Sequence, residues 1–462
     1  MWGARINCPR CTDPKRWLQS KGLYTRVRLV LDVKDFYYLA AEYHYCGGCK
    51  GTFIAWDRRV IQQLSHEIQV LFPVVLTYKY ACDVSVISLL RARSLGNSST
   101  LVQKKISELH SEEWMRRSIA YLSSCQRQKN APVPHRIVPD DYAFQTVSPM
   151  KNIPSPKWFL ACYVRDVYCR LDLLKAAATS VFGRVLKIDS TKKVTKKLQG
   201  LEAGSASWMT NVGNERGEIL LSVLTASEST VSLKPLADGL IKRYSLAKEP
   251  APRVLYTDRD CCGSQEGGSK LNPLFAGWPA LVVRLDIYHF MRRLAAGCHS
   301  ESHPLYGVFM ESLAKCIFEW DKDDLERLYS ATKEQMKREG VSSPSEDAVR
   351  KAVTKHEMAR HCRRQTRGEK KTIQLVEALL EELSEATDSL GVPLFREDMM
   401  STIWPEQRKH LACIQDPPGV RLYTVTGHVM KGGVKLPVLR CARGSSSLEC
   451  FHLHLARCIP GK

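Results

Sequence analysis

The sequence predicts a mixed α/β protein, on three observations. Short apolar strands recur between residues 185 and 286, separated by turns and by one run of helical periodicity. Two of those strands run out on an aspartate, at Asp189 and Asp258. A long stretch of helical periodicity then follows before a last helix start near residue 445. Three strands in a meander followed by helices and further strands fit neither an all-helical nor an all-strand fold.

Four segments are expected. Residues 1–60 carry Cys8-Pro9-Arg10-Cys11 and Cys46-Gly47-Gly48-Cys49 around a strand-like stretch over 24–45. Zinc takes four tetrahedral ligands, and two CxxC knuckles supply two thiolates each. Cys8, Cys11, Cys46 and Cys49 are therefore assigned to one structural zinc in a small ribbon-like module. His44 is either a substitute ligand or an ordinary strand residue.

Residues 61–130 read as helical, with candidate helices over 83–93 and 100–117 joined through Leu95-Gly96-Asn97-Ser98. A short glycine-containing turn between helices is a helix-turn-helix pattern, whose second helix would offer Lys104 and Lys105 to DNA. Surface lysines on paired helices are also common without DNA. Residues 131–157 are expected to be a linker, because Pro132, Pro134, Pro139, Pro149, Pro154 and Pro156 break regular helix.

Residues 158–462 read as one α/β domain with a helical insertion over 298–440. Strands are expected at 185–189, 208–214, 218–227, 253–258 and 280–286, with helices at 230–247 and 287–296. The helical stretches between 305 and 400 break at 340–345. A hairpin is expected over 420–441, turning on Lys431-Gly432-Gly433. The last helix opens at Ser445-Ser446-Ser447, whose hydroxyls can cap it.

The charge and cysteine content narrow the function. A net charge of +20, from 68 Lys and Arg against 48 Asp and Glu, attracts polyanions, and nucleic acid is the commonest in cells. No run of about eighteen apolar residues appears, so no membrane span is expected. The first five residues lack a secretory apolar core, and the 17 cysteines are an odd number, which fits reduced thiols with some metal ligation.

Two carboxylates on neighbouring strands can bridge hard, oxygen-preferring cations. Two such ions about 4 Å apart activate a water and stabilise a leaving oxygen on phosphorus. Asp189 and Asp258 are the candidate pair. Glu449, early in the last helix, is the candidate for the third acid; Asp260, two residues beyond Asp258, is a rival to Asp258 as the second.

The runs Ile188-Asp189-Ser190-Thr191-Lys192-Lys193, Tyr256-Thr257-Asp258-Arg259-Asp260-Cys261-Cys262, Asp286-Ile287-Tyr288-His289 and Ser447-Leu448-Glu449-Cys450-Phe451-His452 together resemble the catalytic core of DDE transposases. The Asp-x-x-His after the second aspartate is similar to a motif of Mutator-like transposases. The cysteine-rich N-terminus resembles the Kyakuja-Dileera-Zisupton group. The phrases IDSTKKV, TNVGNE, YTDRDCC and CIQDPPG look like a transposon-derived family of animal genomes.

The resemblance implies an RNase H-like fold with a helical insertion before the final glutamate. It implies Asp189, Asp258 and Glu449 as catalytic acids on magnesium or manganese, with Asp260, Asp286 and His289 as further candidates. His289 would orient an acid or contact phosphate, unless it is a core histidine. Lys192 and Lys193, beside the first acid, would meet DNA. The activity implied is metal-dependent phosphodiester hydrolysis and strand transfer at transposon ends. Double-stranded DNA as partner implies the nucleus, with a homodimer as an open option. The alternative is a domesticated, catalytically silent DNA-binding or chromatin protein, for which the stop at Lys462, earlier than in such cores, speaks.

Overall fold

Strand β1 (Gln19–Leu23) and β2 (Arg28–Leu31) begin the chain's regular structure, followed by β3 (Phe36–Leu39), β4 (Glu42–Tyr45) and β5 (Thr52–Ile54). The computed structural model describes residues 5–459 except 14, 79, 92–97, 133, 134, 136, 140, 198–205 and 263–268. The chain divides into two units, Met1–Lys175 and Ala176–Lys462.

In the first unit β1, β4 and β5 form one antiparallel sheet beside the cysteine knuckles. Two short helices, α1 (Arg58–Ile61) and α2 (His66–Val70), lead to β6 (Val74–Leu76) and β7 (Ala81–Asp83). A second sheet has the order β3-β2-β7-β6, with β2 and β7 parallel. It joins strands from both sides of residue 60, so the separate modules expected at 1–60 and 61–130 share one sheet. The second of them is not wholly helical either. Val74 to Leu76 and Ala81 to Asp83 are short apolar runs, which periodicity cannot assign to strand or helix.

Helices α3 (Val84–Arg91) and α4 (Ser99–Asn130) follow, and α4 runs well past the expected end at 117. The Ser98 hydroxyl caps it by accepting from Leu101 N–H at 3.1 Å. The proposed turn through Leu95, Gly96 and Asn97 lies outside the described residues. Val102 and Ile106 of α4 pack with Val86, Ile87 and Leu90 of α3, Leu31, Cys82, and Phe159 and Cys162 of α5 (Pro156–Cys169). Those last two anchor α5 in the first unit and shift the expected boundary from 157/158 to 175/176.

The segment over 131–157 is accordingly no free linker. Part of it lies along α4, where Trp114 Nε1 donates to Ser148 O at 2.8 Å and Tyr121 Oη to Gln145 O at 2.9 Å. Its prolines preclude helix but leave carbonyls free to accept such bonds. Helix α6 (Leu171–Thr179) runs across the boundary between units.

The second unit is organised by β8 (Val185–Thr191), β9 (Trp208–Asn214), β10 (Ile219–Thr225), β11 (Val254–Thr257) and β12 (Val282–Leu285). Their order is β10-β9-β8-β11-β12. The first three form an antiparallel meander, while β8, β11 and β12 are parallel. Side chains alternate along each strand, so the sheet buries two different faces. On one, Leu186, Ile188, Val212 and Leu255 meet Leu233, Leu236, Ala237, Leu240 and Tyr244 of α7 (Thr230–Ala247). On the other, Val185, Val254 and Tyr256 meet Leu422 and Ala442.

The excursion expected over 298–440 follows α8 (Ile287–Ala295). It holds α9 (Tyr306–Ile317), β13 (Phe318–Trp320), α10 (Lys322–Arg338), α11 (Glu346–Ala352), α12 (Lys355–His361), β14 (Arg364–Thr366), α13 (Glu369–Glu382) and α14 (Glu397–Arg408). Its apolar stripes close on α8: Phe290 and Leu294 pack with Phe309, Leu313, Val376, Leu394 and Leu411. The chain returns through the hairpin of β15 (Tyr423–Lys431) and β16 (Val434–Cys441), then ends in α15 (Ser446–Cys458). Gly432 and Gly433 both have positive φ, 57° and 84°, as a tight two-residue hairpin turn requires.

Candidate functional site

The strand register places the first two aspartates. Thr257 of β11 is paired with Ile188 of β8, so Asp258, one residue past β11, falls opposite Asp189. Asp189 shares a face with Val185, and Asp258 with Val254 and Tyr256, by the two-residue period. β8 continues to Thr191, so Asp189 sits inside the strand rather than at its end.

The third acid arrives from α15, which packs across β8 and β9. Gly213 of β9 makes the approach possible: a Cβ there would lie 3.0 Å from Leu448 Cδ2. Lys187 Nζ donates to Ser447 Oγ at 3.3 Å, tying the first turn of the helix to β8. Burial pulls that lysine's pKa down. At the other end Lys197 Nζ donates to the carbonyls of Ala456 and Ile459, a cation where the helix dipole is negative.

Glu449 thereby meets Asp189 and His289: one ligand atom from each lies within 4.8 Å of the others. Asp258 is outside that cluster, although its charge acts on Asp189. Its backbone carbonyl accepts from Arg293. The Asp258 and Glu449 charges repel that of Asp189, while His289 acts on it in the opposite sense. Asp189 is 4% exposed, and its Oδ2 has no hydrogen-bond partner. Burial, then the charges of Asp258 and Glu449, push its pKa up to about 7. A buried, unpaired carboxylate oxygen facing other acids is chemistry that a hard cation satisfies.

Asp286 and His289 take different parts. Asp286 is 1% exposed and lies at the N-cap of α8, where Oδ1 accepts from Tyr288 N–H at 3.0 Å. Its Oδ2 accepts from His289 Nδ1 at 3.0 Å, from Ser445 N–H at 3.0 Å and from the Ser445 hydroxyl. Burial works to raise its pKa, but those hydrogen bonds hold it below the usual range. The Asp286 hydrogen bond raises the His289 pKa in turn. His289 is thus oriented with Nε2 towards Glu449, at 3.7 Å from Oε1. A carboxylate fixing one histidine nitrogen while the other faces a candidate metal position is the arrangement that orients metal ligands. Asp286 holds the site's parts together, and Ser445 is occupied by it rather than capping α15.

Asp260 is placed differently from Asp258. It has φ of 53°, and its carboxylate lies 3.9 Å from both Arg259 and Lys270. It stands outside the cluster with its charge balanced.

His452, which the sequence reading did not single out, lies three residues beyond Glu449 on the same helical face. It is 1% exposed. Ser222 Oγ donates to Asn211 Oδ1 at 2.6 Å, which leaves the Asn211 amide to donate to His452 Nε2, at 2.7 Å. The His452 proton is therefore on Nδ1, 3.6 Å from Asp189 Oδ2. Burial lowers its pKa and keeps it neutral. The i, i+3 spacing from Glu449 was the available signal.

Around the cleft, Lys192 and Lys193 are exposed, and Lys192 Nζ sits 4.2 Å from the Trp208 ring centroid. In the first unit Lys104 and Lys105 are exposed on α4, whose buried residues are Val102, Ile106 and His110.

The four N-terminal cysteines converge. Cys8 and Cys49 sulfurs lie 3.5 Å apart, Cys11 and Cys46 sulfurs 3.7 Å, and all four fall within 4.8 Å of one another. Thiolates about 2.3 Å from a tetrahedral ion stand roughly 3.8 Å apart, so the cluster could hold a metal such as zinc. The N–H groups of Cys49 and Gly48 pull the Cys46 thiol down towards the thiolate that metals need, while burial and the neighbouring sulfurs push Cys11 up. His44 is a buried residue of β4 and no part of this cluster.

A family model described as a domain of unknown function (DUF6729) matches residues 1–168, a span close to that of the first unit. No curated protein matches the chain. No helix among the described residues is long and apolar enough to cross a membrane.

Proposed function

We propose that the second unit is an RNase H-like, metal-dependent nuclease of the DDE transposase type, acting on double-stranded DNA. The observation that carries this reading is the meeting of Asp189 and Glu449 on one sheet face, with Asp258 in register beside them. The sheet order, with its meander and two parallel strands, supports it, as does the helical excursion that returns before Glu449.

Asp189, Asp258 and Glu449, with His289 alongside, would hold magnesium or manganese. When bound, such ions activate water and stabilise the leaving oxygen on phosphorus. Asp286 keeps His289 in one tautomer, and His452 keeps a proton on the side facing Asp189. Arg293 fixes the backbone that presents Asp258. Lys192 and Lys193 offer charge to the DNA backbone beside the cleft. Water would first break a phosphodiester and free a 3′-hydroxyl, which would then attack target DNA. The first unit, as a zinc-ribbon-like module with α3 and α4, would add DNA affinity through Lys104 and Lys105. A nuclear location and a homodimer belong to the same reading.

The test is magnesium-dependent nicking of duplex DNA by the full chain, compared with Glu449→Gln. Loss of nicking with retained DNA binding is expected. A Glu449→Gln chain that nicks as well as the parent refutes the assignment. A parent chain that binds DNA and never nicks it establishes the silent DNA-binding alternative instead.

A further inference from the structure

A second group of metal-ligating side chains lies in the same unit, apart from the carboxylates. Cys261 and Cys262 follow β11 in the loop beyond Asp258, and His410 and Cys413 lie in the turns after α14. The sequence brings them from about 150 residues apart. Cys413 N–H donates to His410 O at 2.9 Å, a tight turn that sets the two side chains together. Leu285 N–H donates to Cys413 O at 3.0 Å and docks that turn against the end of β12.

One ligand atom from each of the four lies within 4.8 Å of every other. His410 Nδ1 is 3.3 Å from Cys261 Sγ and 3.1 Å from Cys262 Sγ. The sulfurs of Cys261 and Cys262 are 3.5 Å apart, and those of Cys262 and Cys413 are 2.9 Å apart. A tetrahedron with about 2.3 Å zinc–sulfur and about 2.0 Å zinc–nitrogen bonds has sulfur–sulfur edges of about 3.8 Å and sulfur–nitrogen edges of about 3.5 Å. Three of these edges therefore open by a few tenths of an ångström on an ion, and the Cys262–Cys413 edge by roughly 1 Å. The surroundings are apolar: Leu285, Ile287, Phe290, Leu294, Leu411 and Ile414 belong to the same core cluster. Three thiols and an imidazole turned towards one another there are poor hydrogen-bond partners, but they form a complete soft donor set. Three thiolates and one neutral imidazole on Zn2+ carry net charge −1. Arg293 acts on His410 and Arg284 on Cys413, which compensates it.

We propose that Cys261, Cys262, His410 and Cys413 bind a structural zinc ion that clamps the loop after Asp258 to the turn after α14. Four protein ligands leave no open position, so the ion holds the fold and does no hydrolysis. The clamp bears on the chain that carries Asp258. It fixes the loop three residues beyond Asp258 to the helical excursion, and Arg293 of α8 secures the Asp258 carbonyl. The inference stands on the four side chains and does not depend on the nuclease reading.

The experiment is elemental analysis of the full chain, purified under reducing conditions, against Cys413→Ser and His410→Ala. Each variant is expected to lose one zinc equivalent per chain relative to the parent, with the N-terminal cysteines intact. Unchanged zinc content in folded variants overturns the proposal, as does a Cys262–Cys413 disulfide found by mass spectrometry in the native parent. If the variants fail to fold, zinc-edge X-ray absorption of the parent decides. With both sites filled it should show about 3.5 sulfurs and about 0.5 nitrogen per zinc. Sulfur alone, about four per zinc, overturns the site.

Discussion

Asp189→Asn keeps the shape of the side chain and removes a charge that the fold holds unfavourably. Its pKa rises from 3.8 to about 7, first through burial and then through Asp258 and Glu449. At about 1.4 kcal/mol per pH unit, ionising it in the folded chain without metal costs about 4 kcal/mol. The folded state binds this proton more tightly than the unfolded chain does. Stability from this group is therefore greatest below the unfolded pKa and falls as pH climbs towards 7. Asparagine escapes that loss, and its Oδ1 can still accept from Ser190 N–H, as Asp189 does at 2.9 Å.

In magnesium-free buffer at pH 8, Asp189→Asn should thus be the more stable chain, by up to about 4 kcal/mol. At pH 4 the difference should nearly vanish. Magnesium should stabilise the parent and leave the variant unchanged, since binding energy adds to folding energy only where a site exists. Hydrogen exchange of peptides covering β8 and β9, compared at matched pH, reads this locally. Chelators are left out so that any metal on the cysteine clusters stays bound. A variant less protected than the parent at pH 8, or equal magnesium protection of both, refutes the reasoning.

Gly213→Val should push α15 off the sheet, because a Cβ would stand 3.0 Å from Leu448 Cδ2. Displacing Glu449 by about 1 Å should slow nicking roughly 100-fold with zinc content unchanged, and an unaltered rate counts against the packing role. Asp286→Ala leaves Tyr288 N–H, Ser445 N–H and His289 without their shared acceptor. It should cost about 3 kcal/mol in urea unfolding, and a cost under about 1 kcal/mol would deny Asp286 that role. Converting Lys192 and Lys193 to Gln should reduce the slope of log affinity for DNA against log salt by about 2. An unchanged slope removes them from the interface.

The five-stranded sheet was legible in the sequence because each strand is a short apolar run bounded by turn residues, and β9 and α7 keep the expected limits. The hairpin over 423–441 was legible from its paired glycines. The first unit was harder. Its second sheet joins β2 and β7 in parallel across about 50 residues, and no local signal announces a pairing at that distance. The prolines of 131–157 said only what the backbone could not be. At the cleft, apolar runs closing on an acid pointed to Asp189 and Asp258, although β8 continues past Asp189 to Thr191, and the start of the last helix pointed to Glu449. The hydrogen-bond chain from Ser222 through Asn211 to His452 depends on which face α15 presents. The Cys261–Cys262 and His410–Cys413 group was hidden by its spacing, since adjacent cysteines look like core residues until a distant turn arrives.

The order in which the cleft's parts leave the ribosome has its own consequence. Asp189 and Asp258 are translated by a little past the middle of the chain, on strands that can pair as soon as both exist. Glu449 comes about 190 residues after Asp258, at the far side of the helical excursion. At about 5–20 residues per second, that is a delay of roughly 10–40 s. Throughout it the nascent chain has two of the three acids, neither Glu449 nor the Ser445 that Asp286 holds, and no helix over Gly213. The cluster of Asp189, His289 and Glu449 therefore cannot assemble before α15 has been made, and if the proposed nuclease reading holds, neither can its activity.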